Sequence, residues 1–255
     1  MGLLSGQTAI ISGGLGDIGR AIALRLGELG AAIAIGDILT GNKAKHFLDE
    51  LQSVGIDAIY HHVDVADAAA VQQWVKLVEE AAGTPKLIVP NAATVTLADI
   101  RKITAEQWDR ELRVNLNGSF HLAQAAMLKL LDKGLTGRIV FIGSWAAHAV
   151  HPKIPAYSVS KAALRMLSRC MALDLAPLGI LVNEVAPGYV DAGLSGRIFD
   201  EQPALRDLSR SKVPVRQLIL AREVALQVAH LCDPENKHMS GSTVLMDGGL
   251  SLLTI

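Results

Sequence analysis

A chain of 255 residues, half of them hydrophobic and only 4% aromatic, is long enough to bury roughly three quarters of the surface its unfolded form exposes. Its core must come from Ala, Val, Ile and Leu rather than from rings. The formal net charge of −1 gives no electrostatic reason to bind nucleic acid or an anionic membrane, which leaves a small molecule as the expected partner. Cys170 and Cys232 are too few and too far apart for a disulfide framework or a zinc site, and both read as plain core residues. No apolar run approaches the roughly 18 residues of a membrane helix. The opening MGLLSGQTAI lacks the basic segment and long apolar stretch of a secretory leader, so the expected location is cytoplasmic. Gly6 stands where a myristoylation pattern on Gly2 wants Ser or Thr.

The first predicted strand, TAIIS at 8–12, runs through SGGLGDIG into a helix over 17–29. Strand AAIAIG (31–36) is followed by a helix over 43–54, DAIYHHV (57–63) by one over 67–82, and KLIVP (86–90) by one over 104–131. Thr104 and Gln107 give the last of these a capping-box start. RIVFIG (138–143) precedes a helix over 156–176, ILVNEV (180–185) one over 222–232, and STVLM (242–246) is the seventh strand. Strands that are apolar throughout, rather than alternating, must be covered on both faces. With helices between them they predict a Rossmann-like doubly wound α/β fold with a seven-stranded parallel sheet. No repeat or linker divides the chain, which predicts one domain over 1–255. The longest irregular stretch, 186–220, holds Pro187, Gly188, Pro203 and Pro214 and is expected to be a substrate loop or lid.

SGGLGDIG can be read in two frames. Gly14, Gly16 and Gly19 spell G-x-G-x-x-G. Gly13 and Gly19 are also the outer glycines of T-G-x-x-x-G-x-G, with Ser12 for the threonine and Asp17 where the middle glycine belongs. In either frame a glycine loop that opens a helix presents free amides and the positive end of the helix dipole to a pyrophosphate. Asp37, 18 residues beyond Gly19, is placed to accept from ribose hydroxyls and to repel a 2′-phosphate. Neither Leu15, Gly16 nor Ile38 welcomes that phosphate, so NAD is the expected cofactor.

In AYSVSKAAL, Tyr157 and Lys161 are four residues apart on one helix face, just after Pro155. A free tyrosine titrates near 10, so acid–base work at neutral pH requires a shift of about three units, roughly 4 kcal/mol. An ammonium at about 4 Å in an effective dielectric near 20 supplies about that much. Lys161 is therefore expected to stabilise the Tyr157 phenolate, which can exchange a proton with a substrate hydroxyl.

Together with Ser144 after the fifth strand and Asn115 in RVNLNG, these residues resemble the short-chain dehydrogenase/reductase family, in its single-domain branch. The resemblance runs from Gly13 to Gly249. It implies that Ser144, 13 residues before Tyr157, positions the substrate oxygen, and that Asn115 completes a water-mediated proton relay with Tyr157 and Lys161. HVDVAD supplies Asp64 and Val65, which resemble the pair contacting adenine. PNAAT places Asn91 where the family's N-N-A-G supports the sheet, APG (186–188) matches the turn lining the nicotinamide, and SGSTVLMDGG resembles the last strand. The implied cofactor contacts are Gly13, Gly14, Asp17, Ile18, Gly19, Asp37, Asp64, Val65, Asn91, Ala92, Tyr157, Lys161, Pro187, Gly188 and Val190. No metal is implied.

The resemblance favours the wider frame and makes Asp17 a departure. Asp17 is expected to face away from the pyrophosphate and cap the helix amides, a role worth about 1 kcal/mol, while Gly14 and Gly16 lend the loop room. Pro90 and Ala93 in the N-N-A-G stretch, and Ala192 in place of a threonine that holds the nicotinamide amide, are further departures. WAAHAVHPKIP (145–155) resembles one wall of the substrate pocket. His148, His151 and Lys153 make that wall polar, which suits a sugar, polyol or sugar acid, with Ser144, His151, Lys153 and Tyr157 as substrate contacts. Arg197, Arg206, Arg210 and Lys212 could close over an anion. The implied reaction is reversible, NAD-dependent hydride transfer between a secondary alcohol and a ketone, in a homotetramer to which LSLLTI contributes a contact. Two alternatives are an NADPH-dependent 3-oxoacyl carrier-protein reductase, against which Asp37 counts, and a non-catalytic NAD-binding sensor on the same fold.

Overall fold

The computed structural model describes the whole chain apart from residues 1, 194, 195, 197, 198, 200, 254 and 255. Arg197 and the last two residues of LSLLTI, given roles above, lie outside the described residues. The strands are β1 (Thr8–Ser12), β2 (Ala32–Asp37), β3 (Ala58–His62), β4 (Pro85–Val89), β5 (Gly137–Ile142), β6 (Ile180–Pro187) and β7 (Thr243–Met246). They form one parallel sheet in the order β3-β2-β1-β4-β5-β6-β7. All seven strands lie within two residues of their predicted bounds.

The helices are α1 (Asp17–Glu28), α2 (Asn42–Ser53), α3 (Ala68–Ala82), α4 (Ala105–Leu112), α5 (Ser119–Asp132), α6 (Pro155–Leu175), α7 (Pro203–Lys212) and α8 (Ala221–Cys232). Successive strand residues point to opposite faces, and here both faces are dry. Ile11, Ile33, Ile35 and Val140 pack with Ile22 and Leu26 of α1, Phe47 of α2 and Val228 of α8. Ile10, Ala34, Ile139 and Phe141 pack with Trp74 of α3, Leu122 of α5 and Leu164 of α6. That two-sided burial is why the strands read as unbroken apolar runs.

The structure departs from expectation in three places. The helix over 104–131 is interrupted by a π-helical turn, Arg113–Gly118, between α4 and α5; an apolar pattern that resumes after it hides the extra residue. The stretch 186–220 contains α7. Cys232 is buried but Cys170 is exposed, because the inner face of α6 is the stripe Ala156, Ser160, Leu164, Ser168 and Ala172, which residue 170 misses. Among the described residues no helix is long and apolar enough to cross a membrane.

In this strand order the chain moves outward in one direction from β1 to β3 and in the other from β4 to β7. The crevice at the carboxyl ends of β1 and β4 is where such sheets place ligands. Every predicted site segment leaves the sheet at that edge.

Candidate active site

The glycine loop is defined by contact distances. Gly13 has φ +63°, and a Cβ there would lie 2.8 Å from Ala92 Cα. A Cβ on Gly14 would lie 2.6 Å from Ile35 Cγ2, and one on Gly19 2.3 Å from the Gly13 carbonyl oxygen. At Gly16 the nearest atom is 3.5 Å away, an ordinary contact. Glycine is therefore required at 13 and 19, the outer positions of the wider frame, and at 14, which belongs to the narrower one, whereas Gly16 does not supply needed room. Ser12 Oγ accepts from the amides of Asn91 (3.0 Å) and Ala92 (3.2 Å). Asn91 Nδ2 donates to the Ser12 and Gly13 carbonyls, both at 3.0 Å. The loop after β1 is thus fastened to the end of β4.

Asp17 does not cap α1. Gly16 is the cap residue and makes no side-chain cap bond; Asp17 already occupies the first helical position. Its Oδ2 accepts instead from the Gly193 amide at 2.6 Å, which ties the loop to the 186–220 stretch. Ile18 is partly buried against the core.

Asp37 ends β2 and is 8% exposed. Its Oδ2 accepts from Leu15 N and its Oδ1 from Leu39 N, both at 3.0 Å, so the carboxylate braces the loop after β1. Asp64 is exposed and accepts from Ala66 N at 2.9 Å. Val65 is buried beneath Gly118, where a Cβ would come within 2.5 Å of Val65 Cγ2. Pro187 ends β6. Gly188 N donates to the Met246 carbonyl at 3.0 Å, and Val190 is buried and bridges to Ile219.

Tyr157 and Lys161 lie in the first turns of α6, which opens on Pro155. Lys161 is 2% exposed; its Nζ donates to the Ile142 carbonyl at 2.7 Å and lies 5.6 Å from the centroid of the Tyr157 ring. Burial brings the amine down to about 8, opposed by the carboxylate of Glu184. Burial also pushes the Tyr157 phenol up to about 12; a hydrogen bond with Ser144 opposes the rise and Glu111 adds to it. Burial is therefore the largest influence on both groups, and the Lys161 amine is given to the Ile142 carbonyl.

Ser144 is buried, and its Oγ accepts from Ala146 N at 3.1 Å as it opens a short 3₁₀ turn. Asn115 is fully buried in the π turn. Its Oδ1 accepts from Thr94 N (2.8 Å), and its Nδ2 donates to the Thr94 carbonyl (2.9 Å) and to Ser160 Oγ (3.1 Å). Ser160 Oγ in turn donates to the Tyr157 carbonyl at 2.7 Å. The Asn115 side chain is used to join the loop after β4 to α6. Its backbone carbonyl accepts from Ser119 Oγ at 2.8 Å.

On the expected substrate wall, His151 is half-buried in a trio of rings, 5.6 Å from Trp145 and 6.0 Å from Tyr189 between centroids, in edge-to-face geometry. Its Nε2 lies 3.5 Å from the Tyr189 hydroxyl. Lys153 is exposed at φ +66°, and its carbonyl accepts from Ala98 N at 2.9 Å. His148 is exposed. The cations expected to close over an anion are not free: Arg206 pairs with Asp191, and Arg210 with Asp207 at 2.9 Å. Both line a cavity of about 360 Å³ with Arg216 and Arg222, and Lys212 is exposed.

Two acids that the motifs did not single out are buried here. Glu184 is fully buried in β6; its Oε2 accepts from Arg165 Nε (2.9 Å) and Thr243 Oγ1 (2.7 Å), while Arg165 Nη2 donates to the Ser144 carbonyl (3.2 Å). A charge inside the apolar run ILVNEV was the available signal, since a buried charge needs a partner. Glu111, fully buried in α4, gives no such signal in a helix of mixed composition.

The family model described as enoyl-(acyl carrier protein) reductase matches residues 14–251. D-beta-hydroxybutyrate dehydrogenase of Rhizobium meliloti is 29% identical over 95% of this chain and 98% of its own length. A 3-oxoacyl-[acyl-carrier-protein] reductase of Staphylococcus aureus is 28% identical over 96% and 98%. The crystal structure of a gluconate 5-dehydrogenase from Burkholderia cenocepacia, in complex with NADP and tartrate, superposes with a TM-score of 0.92 at 30% identity, covering 98% of this chain and 97% of that one. The fold, the crevice and a family match along nearly the whole chain agree: the chain belongs to the short-chain dehydrogenase/reductase family, oxidoreductases that act on CH–OH groups with a nicotinamide cofactor.

Proposed function

We propose that the protein uses NAD to oxidise a secondary alcohol, a sugar, polyol or sugar acid, to the ketone, within one domain and in the cytoplasm. The observation that carries this reading is the convergence of the Ser144 hydroxyl, the Tyr157 phenol and the Lys161 amine behind the carboxyl end of β5. The cradle at Gly13, Gly14 and Gly19, which a Cβ would fill, fits a dinucleotide pyrophosphate against the amides that open α1. When bound, the nicotinamide supplies the hydride acceptor. Ser144 holds the substrate oxygen, and Tyr157 takes the hydroxyl proton. Lys161 favours the phenolate once it carries its own proton, and it binds the nicotinamide ribose. Asp37 accepts from the adenosine ribose. Asn115 relays the proton onward. Asp64, Val65, Pro187, Gly188 and Val190 shape the adenine and nicotinamide ends.

NAD is favoured over NADP because a carboxylate at the end of β2, Asp37, repels a 2′-phosphate. A polar substrate is supported by His151 and Tyr189, whose rings meet Trp145, the residue after Ser144, and by the exposed Lys153. Initial rates on sugars, polyols and hydroxy acids, with NAD and NADP in parallel, test both claims. At least tenfold preference for NAD on one of these classes is expected; equal or better rates with NADP overturn the cofactor assignment. Reduction of a 3-oxoacyl thioester by NADPH, with no alcohol oxidised, selects the reductase reading that the Staphylococcus aureus relative supports. Firm NAD binding without turnover of any substrate selects a sensor. The exposed leucines Leu226, Leu245 and Leu252 support a homotetramer, tested by light scattering in solution.

A further inference from the structure

Glu111 has no exposed surface. It lies on α4 one turn before Asn115, and α4 packs against α6, which carries Tyr157 and Lys161. Its Oε1 accepts from the Thr96 amide at 2.6 Å, while Oε2 is buried with no hydrogen-bond partner among the described residues. An ionised carboxyl buried with no bonded cation among the described residues is costly, and this one lies on a helix packed against α6. A proton on Oε2 removes the buried negative charge and leaves Oε1 free to accept from Thr96. Burial does push this carboxyl upward from its ordinary value, against the pull of the Thr96 amide and of Arg110.

Among the described residues no cation is bonded to Glu111, although Arg110 pulls on its charge. Arg110 on its own helix and Arg113 in the π turn are exposed. In the loop above, Thr96 is uncharged and Asp99 pairs with Arg101. From α6, Lys161 is bound to the Ile142 carbonyl and Arg165 to Glu184. The Tyr157 phenol remains as the titratable neighbour that feels its charge.

We propose that Glu111 is a positioning residue for Tyr157: protonated, it holds the pocket wall through Thr96 without setting a negative charge near the phenol, and loss of that proton disfavours the phenolate. The proton exchanges with solvent, and no bond between heavy atoms changes. The consequence for turnover rests on Tyr157 being the proton acceptor, as proposed above.

The test is a carbon-13 NMR titration of the whole protein, labelled at tyrosine Cζ and glutamate Cδ, across the range in which carboxylates and histidines change charge. The Tyr157 resonance is assigned by its loss in Tyr157→Phe, and that of Glu111 by its loss in Glu111→Gln. Expected is a step in the Tyr157 resonance at the midpoint of Glu111, above the ordinary carboxylate value, which vanishes in Glu111→Gln; glutamine still offers Thr96 an acceptor. A Tyr157 resonance that stays flat while Glu111 titrates, or that keeps its step in Glu111→Gln, overturns the inference. If Glu111→Gln does not fold, Glu111→Asp supplies the assignment and the wild-type midpoints decide: coincident midpoints support it and separate ones overturn it. In turnover, Glu111→Gln should match wild type in kcat/KM below the Glu111 midpoint and exceed it by about threefold or more above it, whereas a wall-holding role alone changes KM at every pH. The NMR readout needs no substrate, so absence of alcohol oxidation would remove the functional reading without deciding this one.

Discussion

The loop after β1 and the cluster behind β5 share one edge of one sheet, yet different forces hold them. Around Gly13, Gly14 and Gly19 the shape is set by sub-contact distances to Ala92 and Ile35, and by backbone amides bonded to Ser12, Asn91 and Asp37. Behind β5 it is set by buried ionisable groups: Lys161 on a carbonyl, Arg165 on Glu184, Tyr157 desolvated, Glu111 with no bonded cation among the described residues. The first region tolerates no added atom and the second no uncompensated charge. Steric sites fail by overpacking, with modest losses, whereas buried charges fail by losing a partner.

Four experiments separate the two regimes. The largest effect is expected at the phenol: Tyr157→Phe should lower turnover by about 10³-fold or more and leave NAD affinity, measured by fluorescence titration, within about twofold. Retention of a tenth of the activity would mean that another group takes the proton. Next, Arg165→Met strips Glu184 of its cation and should cost about 3–5 kcal/mol in urea unfolding. Adding Glu184→Leu should recover most of that loss; a single variant as stable as wild type would show that charge does not hold this region.

The third experiment is a pH profile of stability. Lys161 titrates at about 8 in the folded protein and at 10.5 ordinarily, so between those values the unfolded chain binds the extra proton and stability rises with pH. Tyr157, at about 12 against an ordinary 10.0, retains between those two values a proton the unfolded chain has lost, so its contribution falls as pH rises there. Lys161→Met should abolish the climb that starts near 8 and Tyr157→Phe the later decline; profiles unchanged by either substitution count against the burial that causes both shifts. The smallest effect belongs to the steric region: Gly14→Ala, with its Cβ at 2.6 Å from Ile35, should cost about 1–3 kcal/mol. Gly16→Ala, three loop positions short of Gly19, should stay within about 0.5 kcal/mol. Equal costs at the two positions would mean that contact distance does not decide where this loop needs glycine.

Legibility in the sequence divides along the same line. The strands, their order of appearance and the glycine frame were legible because two-sided burial and forbidden Cβ positions restrict residue types directly. Charge balance was not. The effect of Lys161 on Tyr157 depends on how deeply each is buried, which four-residue spacing does not encode. Asp17 looked like a cap because its chemistry suits one, but its bond to Gly193 joins segments 176 residues apart. Glu111 sits in a helix whose other polar residues face water, so nothing local marked it.

The π turn at Arg113–Gly118 has a consequence for how this gene can vary. It accommodates one residue more than regular α-helical winding needs. Deleting a single codon there would let the segment close into regular α-helical winding, with α4 and α5 keeping their faces, and would remove the widened turn that carries Asn115. Length changes in these six codons should therefore be purged in functional selections as strictly as nonsense mutations, although each would yield a protein that still purifies and melts cooperatively.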